Sequence, residues 1–224
     1  MIDFHTHILP NMDDGSQSVA ESVELLNILE NEGVKLVCLT SHFYPRNESI
    51  EDFLKRRKKS YESLRYKGNL ELRLGSEVHY YRGISASEDI DLLCIEKTNV
   101  LLVELSFNSP ISDGVIKELI ALKNRGYKVI LAHIERYDID EDTLIYMHSN
   151  GLLLQVNTEY FQGFFSSRKA LKWLQNGIID AIGSDTHGTQ SRIPNYKKTT
   201  DLIKNKLGNN FLNKFIAKTY KIIE

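Results

Sequence analysis

Short apolar segments alternate with longer amphipathic segments along nearly the whole chain, and this alternation limits the fold more than any other feature of the sequence. Seven apolar segments predict strands: MIDFHTH, KLVCLTSHF, LELRLGSEV, VLLVELSF, KVILAHIE, LLLQVNT and DAIGSDTH. The segments between them predict helices: SVAESVELLNILENEG, IEDFLKRRKKSYESLRYK, ASEDIDLLCIEK, DGVIKELIALKNRG, EDTLIYMHSNG and SSRKALKWLQNG. Strands that alternate with helices predict right-handed βαβ units and a parallel sheet.

The number of these repeats predicts an α/β barrel. Seven repeats follow one another without a break in composition, and the length of 224 residues is ordinary for a single barrel domain. The last segment, residues 195–224, predicts one or two closing helices. No linker rich in proline or glycine divides the chain, so residues 1–224 are expected to form one domain.

Composition excludes several classes of protein. Apolar residues make up 42% of the chain and charged residues 26%, which is a globular balance. The formal net charge of -2 provides no basic field for nucleic acid. No apolar segment is long enough to span a bilayer, and the start of the chain lacks the parts of a secretory signal. We therefore expect a cytoplasmic protein without membrane insertion, and a homo-oligomer stays open.

The two cysteines lie in apolar segments and are expected to be buried. Cys38 occurs in VKLVCLTS and Cys94 in DLLCIEK. A cysteine phosphatase needs an arginine a few residues after its nucleophile to form a phosphate-binding loop. Cys38 is followed by LTSHFYPR, which is too long and contains a proline, and nothing after Cys94 resembles such a loop. The sequence therefore disfavours chemistry at a thiol.

Parallel α/β barrels place their active sites at the C-terminal ends of the strands, and this rule selects the candidate functional residues. Six of the seven predicted strands end in side chains that can bind a metal, and the loop after the first strand adds Asp13 and Asp14. The strand-end candidates are His5, His7, His42, Glu77, Glu104, His133, Asp185 and His187. Because alternate side chains of a strand lie on the same face, His5 and His7 are expected to point to one place.

The size of this set predicts more than one metal ion. With one of the two loop aspartates, the candidates comprise five imidazoles and four carboxylates, which exceeds what one tetrahedral ion uses. Two or three divalent ions are therefore expected, with a carboxylate such as Glu77 as a bridge. Three such ions would leave a charge of about +2 over the four carboxylates, which suits a phosphate dianion. The mixed nitrogen and oxygen ligands favour Mn, Fe or Zn over Mg or Ca.

Two arginines in the loops after predicted strands indicate that the substrate carries a phosphate. Arg136 follows His133 in AHIERY, and Arg192 follows His187 in SDTHGTQSRIP. Arginine binds phosphate through paired hydrogen bonds. Both side chains are expected to reach over the metal site from the loops.

These motifs together resemble the polymerase and histidinol phosphatase (PHP) superfamily. The resemblance runs through the whole chain in the order DFHTH, DDGS, TSH, GSE, VELS, AHIERY and SDTH. It implies a distorted seven-stranded (β/α)7 barrel, similar to a TIM barrel, with a trinuclear metal site. Within the superfamily, MIDFHTHILPNMDDGS, LLVELSF, AHIERY and the late Arg-Ile-Pro resemble the metal-dependent protein-tyrosine phosphatases of bacterial capsule and exopolysaccharide systems, chiefly from Gram-positive organisms.

The resemblance implies a role for each candidate, with Asp14 rather than Asp13 as the loop ligand and manganese as the favoured metal. The implied ligand sets are His5, His7, Glu77 and Asp185; Glu77, Glu104 and His133; and Asp14, His42 and His187. Arg136 and Arg192 would bind and polarise the phosphate, and His42 or a metal-bound water would protonate the leaving phenolate. The implied substrate is the phosphotyrosine-bearing tail of a cognate tyrosine kinase that controls polysaccharide polymerisation and export.

Three other functions stay open. Another phosphomonoesterase of the same superfamily, acting on histidinol phosphate or a similar small molecule, would have the same metal site. A metal-dependent amidohydrolase or nuclease also begins its barrel with His-x-His, although no strand-end lysine suited to carbamylation is present here. A metal-stabilised barrel that only docks a partner is disfavoured because the ligand set is intact.

Two histidines and one basic segment lie outside this scheme. His79 follows Glu77 by two residues, and we interpret it as a structural residue or as the partner of a ligand. His148 lies in a helical pattern and is expected on the surface. The basic run Lys55 to Lys59 is interpreted as the solvated face of a helix. The alternative is an attraction for an acidic phosphorylated tail or a membrane surface.

Overall fold

The structure is a computed structural model that describes residues 1–107 and 111–224. Its strands are β1 (Ile2–Asp3), β2 (Leu36–Leu39), β3 (His42–Phe43), β4 (Glu71–Leu74), β5 (Glu77–His79), β6 (Val100–Glu104), β7 (Lys128–Leu131), β8 (Leu153–Asn157) and β9 (Ala181–Gly183). Its helices are α1 (Val19–Asn31), α2 (Ile50–Ser63), α3 (Asp113–Asn124), α4 (Glu141–Ser149), α5 (Phe164–Gln175), α6 (Tyr196–Leu207) and α7 (Asn209–Ile223).

All strand pairs of the described chain are parallel, as the alternation of strands and helices predicts. One sheet has the order β1-β2-β4, and the other has the order β3-β5-β6-β7-β8-β9. The backbone after β1 also meets the backbone after β9. The Asp185 N–H donates to the His5 carbonyl at 2.8 Å, and the His7 N–H donates to the Thr186 carbonyl at 3.0 Å. The parallel sheet therefore curls until its first and last strands are neighbours.

The described chain has nine short strands where the sequence predicts seven longer ones. The second predicted strand forms β2 and β3, and the third forms β4 and β5, with two residues between the members of each pair. At the first break, the Thr6 N–H donates to Thr40 Oγ1 at 3.0 Å, and Thr6 Oγ1 donates to the Cys38 carbonyl at 2.8 Å. Hydroxyl groups that take backbone partners interrupt the regular ladder.

Side-chain caps begin four of the helices near their predicted starts. The side chains of Ser18, Ser49, Ser112 and Asp140 each accept a hydrogen bond from a backbone N–H in the first turn of α1, α2, α3 and α4. The C-terminal segment forms two helices, α6 and α7, as the sequence allows. Gly208 separates them with a φ of 89°, which glycine adopts without strain.

The predicted helix ASEDIDLLCIEK is wrong. This segment, residues 86–97, contains loops and the 3₁₀ turn Ile90–Leu93. Ile90, Leu93 and Ile95 are all buried, but their spacing does not continue along one face of an α-helix. Burial of the three side chains therefore decides the conformation.

The strands bury side chains on both faces, as expected for a covered parallel sheet. One apolar cluster joins inward strand residues such as Leu36, Val100 and Leu102 with Ile222 of α7. The larger cluster joins the alternate strand residues with the surrounding helices. In β6, Glu104 follows Val100 and Leu102 on the same face, so the inner face turns polar at the C-terminal end of the strand. That end carries the candidate site.

Both cysteines are buried and unpaired, as the sequence predicts. Burial raises the pKa of Cys94 to about 12 and raises the pKa of Cys38 well above its usual value. No helix in the described parts of the chain has the length and apolar character needed to cross a bilayer.

Candidate metal centre

All nine candidate ligands from the sequence lie together at the C-terminal ends of the strands. They form four overlapping groups in which the ligand atoms are within 4.8 Å of one another. The groups are His7, Asp14, His42 and His187; His5, Glu77 and His133; His5, His7 and Asp185; and His42, Glu77 and Glu104. The curl of the sheet brings these residues together although they are spread from the first strand to the last.

Glu77 lies at the centre of the cluster. Its Oε2 atom is 3.2 Å from Nε2 of both His5 and His7. The same oxygen is 2.9 Å from Nδ1 of His42, and Oε1 is 2.8 Å from Nε2 of His133. Burial by itself raises the pKa of this carboxyl, but the surrounding imidazoles outweigh burial and hold the pKa well below its usual value. Glu77 is therefore an ionised carboxylate at the centre of the cluster.

Several ligand atoms in the cluster are buried without a hydrogen-bond partner. Among the described residues these atoms include His42 Nδ1, Glu77 Oε2 and Asp185 Oδ1; the first two are 2.9 Å apart, but their geometry is not that of a hydrogen bond. A buried polar atom without a partner costs about 1–3 kcal/mol. A divalent cation between such nitrogen and carboxylate atoms satisfies all of them at once, and Mn, Fe and Zn accept this mixture of ligands. The residues present therefore fit a metal centre.

The two neighbouring aspartates of the first loop have different positions. Asp13 Oδ2 is 2.9 Å from Nδ1 of His7 and accepts the backbone N–H of His42 at 2.9 Å. Burial opposes ionisation of Asp13, but His7 and His42 outweigh it and hold its pKa well below its usual value. The Asp14 side chain is 68% exposed, and its Oδ1 lies 3.4 Å from Nε2 of His187. Contact with His187 lowers the pKa of Asp14 to about 2.

Neither the pairing of Asp13 with His7 nor the contribution of β8 was predicted from the sequence. Gln155 Oε1 accepts the backbone N–H of His133 at 2.9 Å and lies 3.2 Å from Nδ1 of His5. Gln155 Nε2 donates to Asn157 Oδ1 at 2.7 Å, and Asn157 Nδ2 donates to Asp185 Oδ2 at 2.8 Å. This strand orients ligands of three other strand ends. The signal in the sequence is the pair of amides two residues apart in LLLQVNT.

The imidazole of His133 has a strong affinity for protons in this cluster. Burial lowers its pKa, but contact with Glu104 and Glu77 outweighs burial and raises the pKa to about 9. Its Nε2 atom is 2.8 Å from Glu77 Oε1 and 3.6 Å from Glu104 Oε2. Because a metal ligand must be deprotonated, protons and a metal compete for this nitrogen.

Both candidate arginines reach the edge of the cluster. Arg136 Nη2 lies 2.7 Å from Asp185 Oδ2, and Arg192 Nη2 donates to the same oxygen. Arg192 Nη1 lies 2.7 Å from Nε2 of His187. Each of the two side chains is 31% exposed, so the guanidinium groups lie between the buried ligands and the solvent. Both guanidinium groups are therefore accessible from solvent.

Three residues of the site have left-handed backbone conformations. The φ angles are 33° for His133, 51° for Asp185 and 51° for Arg192. Such angles are rare for residues other than glycine and cost on the order of 1–3 kcal/mol each. They turn the chain sharply just beyond β7 and β9 and aim the side chains at the cluster. Unusual angles of this kind concentrate at functional sites.

A cavity of 320 Å³, here called the metal cavity, gives access to the cluster. Its lining includes Glu77, Glu104 and His133 together with Arg136. His79 lines the same cavity, and its Nδ1 atom is 3.0 Å from Glu104 Oε1. His79 is therefore placed as the partner of a candidate ligand.

Comparison with known proteins decides the family. The whole chain, residues 1–224, matches the profile of a family described as capsular polysaccharide synthesis, CpsB/CapC. The chain belongs to the CpsB/CapC family. The predicted resemblance to proteins of bacterial capsule systems is thereby confirmed.

Curated relatives of the CpsB/CapC family cover most of the chain. The tyrosine-protein phosphatase CpsB of Streptococcus pneumoniae is 28% identical in an alignment of 229 positions, which covers 93% of this chain and 91% of that protein. The tyrosine-protein phosphatase YwqE of Bacillus subtilis (strain 168) is 26% identical in an alignment of 210 positions, which covers 86% of this chain and 79% of that protein.

A solved structure has the same fold as this CpsB/CapC chain. It is described as crystal structures of YwqE from Bacillus subtilis and CpsB from Streptococcus pneumoniae, unique metal-dependent tyrosine phosphatases. The TM-score is 0.82 at 21% identity, with 100% of this chain and 94% of that chain covered. This likeness shows the curled α/β fold of the CpsB/CapC chain.

The remaining predictions concern residues away from the metal centre of the CpsB/CapC fold. The side chain of His148 is 34% exposed, and its Nε2 atom lies 3.3 Å from Asp180 Oδ1.

In the basic run of α2, Lys55 pairs with Glu51 at 2.7 Å, and both side chains are exposed. Arg57 is buried instead, and it donates to the Gly75 carbonyl at 2.7 Å. The run is thus partly a solvated helix face and partly a structural contact.

Proposed function

We propose that this chain is a metal-dependent protein-tyrosine phosphatase. It hydrolyses phosphotyrosine on a bacterial tyrosine autokinase and thereby regulates capsular or exopolysaccharide synthesis. The observation that carries the proposal is that Arg136 and Arg192 both reach Asp185 at the edge of a cluster of metal ligands. Paired guanidinium groups beside such a cluster suit a phosphate ester. Relatives of the CpsB/CapC family named tyrosine-protein phosphatases support the same reaction.

The proposed centre holds two or three divalent ions, with Mn favoured and with Fe or Zn as alternatives. The proposed ligand sets are His5, His7, Glu77 and Asp185; Glu77, Glu104 and His133; and Asp14, His42 and His187. Distances support them, since His133 Nε2 faces the carboxylates of both Glu77 and Glu104. The central position of Glu77 supports its role as the bridge between ions.

The chain's own residues bind the phosphate and help to protonate the leaving phenolate. When bound, the metal ions supply a water of lowered pKa and positive charge for the phosphate oxygens. Arg136 and Arg192 hold the phosphate through forks of N–H donors and orient it over the cluster. The departing phenolate has an ordinary pKa of about 10, so it needs less help from an acid than an alkoxide does. His42, whose side chain is 12% exposed, or a water at the centre would donate the proton to the phenolate.

The proposal extends to the architecture and setting of the enzyme. Counting β2 with β3 and β4 with β5, we take the curled sheet as a distorted seven-stranded (β/α)7 barrel. Residues 1–224 then form a single phosphatase domain. The substrate is the phosphotyrosine-bearing tail of a kinase that consumes ATP, which places the reaction in the cytoplasm. Neither nucleic acid nor an inserted membrane segment takes part in it.

Substrate comparison tests the reaction class. Hydrolysis of a phosphotyrosine peptide, a phosphoserine peptide and histidinol phosphate is measured with Mn and with a chelator. We expect Mn-dependent release of phosphate, fastest from the phosphotyrosine peptide. Preference for histidinol phosphate would indicate a small-molecule phosphatase instead. Release from none of the three would favour an amidohydrolase, a nuclease or a docking domain.

Two substitutions test the assignment of the site. His133→Ala and Arg136→Ala are each expected to reduce kcat/KM for the phosphotyrosine peptide by roughly 100-fold to 1000-fold or more. His148→Ala and Arg65→Ala are matched controls outside the metal cavity, and both should keep the wild-type rate. Wild-type activity in the His133 variant would contradict the metal mechanism.

A further inference from the structure

A second cavity of 530 Å³ adjoins the metal cavity, and we call it the Tyr–Arg groove. It is lined by residues that include Tyr44, Arg46, His79, Tyr80, Tyr81 and Arg82. Its volume lies within the range of small-ligand and peptide sites. No acidic side chain is among the described residues that line it. The groove is thus both aromatic and basic.

The groove is continuous with the metal cavity. Tyr44 and His79 line both cavities. The ring of Tyr44 stacks on His42, with 5.0 Å between the ring centroids, and lies 5.5 Å from the ring of His79. A peptide whose phosphotyrosine occupies the metal cavity therefore has a direct path past Tyr44 into the groove.

The two arginines of the groove are available for a ligand. Arg46 and Arg82 are exposed, and neither forms an ion pair or a hydrogen bond with any residue that the structure describes. Arg56 shows the opposite arrangement, since it pairs with Glu48 at 2.6 Å. Two unpaired guanidinium groups in a cavity without acidic side chains attract anionic groups.

We propose that the Tyr–Arg groove binds the residues that flank the phosphotyrosine and that Arg46 and Arg82 select acidic ones. The inference rests on the proposed phosphatase function and names the class of peptide that the site prefers. A small phosphate ester bound in the metal cavity is too short to contact the groove. Contacts in the groove, remote from the reacting phosphorus, thus favour a phosphorylated protein tail over small phosphate esters as the substrate.

Peptides with different flanking residues test the inference. Three phosphotyrosine peptides carry only glutamate, only alanine or only lysine around the phosphotyrosine. We compare kcat/KM on each peptide for the wild type, for the double variant Arg46→Ala/Arg82→Ala and for Lys55→Ala/Lys58→Ala. The last variant also removes two positive charges, but from the exposed face of α2 outside the groove. Rates on p-nitrophenyl phosphate correct each variant for differences in active enzyme.

The wild type should prefer the glutamate peptide over the alanine peptide, mainly through KM. In the arginine double variant this preference should fall roughly tenfold, as expected for the loss of two partly screened charge contacts. The lysine control should keep the wild-type preference. Charge reversal in Arg46→Glu/Arg82→Glu should make the lysine peptide the best of the three.

The outcomes separate the two proposals. If the wild type hydrolyses no phosphotyrosine peptide, the proposed function fails and the groove assignment fails with it. If the wild type hydrolyses all three peptides equally, only the groove assignment fails. The same holds if both arginine variants keep the preference for glutamate, or if the lysine control loses it to the same extent.

Discussion

Asp13 Oδ2 lies 2.9 Å from Nδ1 of His7, so this carboxylate holds the imidazole with its Nε2 atom toward the ligand cluster. Asp14, the next residue, is mostly exposed and instead directs its Oδ1 atom toward His187. Hydrogen bonds from a carboxylate fix the orientation and basicity of a metal-binding imidazole. The two aspartates therefore make different contributions to one centre.

This difference predicts two distinct phenotypes. Asp13→Ala is expected to weaken apparent Mn affinity about 10-fold to 100-fold while most activity returns at saturating Mn, because the ligand atoms stay in place. Asp14→Ala is expected to lose activity that added Mn does not restore. Titration of phosphate release against Mn measures both effects. Identical Mn dependence in the two variants would contradict the assignment.

Gln155 supports ligands from two strand ends, and its removal should cost stability. Gln155→Met keeps the length of the side chain but leaves the buried N–H of His133 and Oδ1 of Asn157 without their partner. We expect a loss of roughly 1–3 kcal/mol in the free energy of unfolding. Urea unfolding with a chelator present measures it. Gln175→Met, at an exposed position of α5, is the matched control and should be neutral.

Metal binding should stabilise the fold, because the ligands come from distant parts of the chain and meet only in the folded state. Mn at about 100 times its dissociation constant adds roughly 2.7 kcal/mol. For a chain of this length that corresponds to an increase in Tm of roughly 5–10 °C. Thermal unfolding with Mn and with a chelator tests the shift without measuring activity. His133→Ala should reduce the shift, whereas His148→Ala should keep it.

The buried thiols should be unreactive in the folded protein. The thiolate reacts with alkylating agents, and a free cysteine has a pKa of about 8.5. Burial raises the pKa of Cys94 to about 12 and also raises that of Cys38, so at pH 8 the thiolate fraction is far below that of a free cysteine. We expect no alkylation by iodoacetamide at pH 8 without denaturant, two modified thiols in urea, and unchanged phosphatase activity after native treatment. A native modification that stops activity would indicate thiol chemistry.

Hydrophobic periodicity predicts the parallel sheet and its surrounding helices well. It fails at residues 86–97, where the predicted helix is replaced by a loop and a 3₁₀ turn that bury Ile90, Leu93 and Ile95. It also misses the division of the second and third predicted strands. The first of those breaks involves the hydrogen bond from Thr6 to Thr40, between residues far apart in the sequence. A local pattern contains no information about such partners.

The candidate site was likewise predictable where it depends on local patterns and not where it depends on contacts between distant residues. Eight candidate ligands were identifiable because each lies at or just after a predicted strand end, where a parallel barrel places its active site, and Asp14 was selected through the family resemblance. Asp13 and Gln155 were not identifiable as ligand partners, because an aspartate and an amide have many ordinary roles. Their contribution depends on the atoms they face, which are His7 Nδ1 and the His133 N–H. Those distances exist only in the folded chain.

The parallel arrangement of the sheet, most of its helices, the residue types at the strand ends and the resemblance to capsule-system phosphatases were all predictable from the sequence. Only the tertiary structure decided that Glu77 is the central carboxylate, that Arg136 and Arg192 converge on Asp185, and that the Tyr–Arg groove adjoins the metal cavity. The physical reason is that periodicity reports which face of an element is buried. Metal binding and substrate selection depend instead on distances of a few ångströms between residues far apart in the chain.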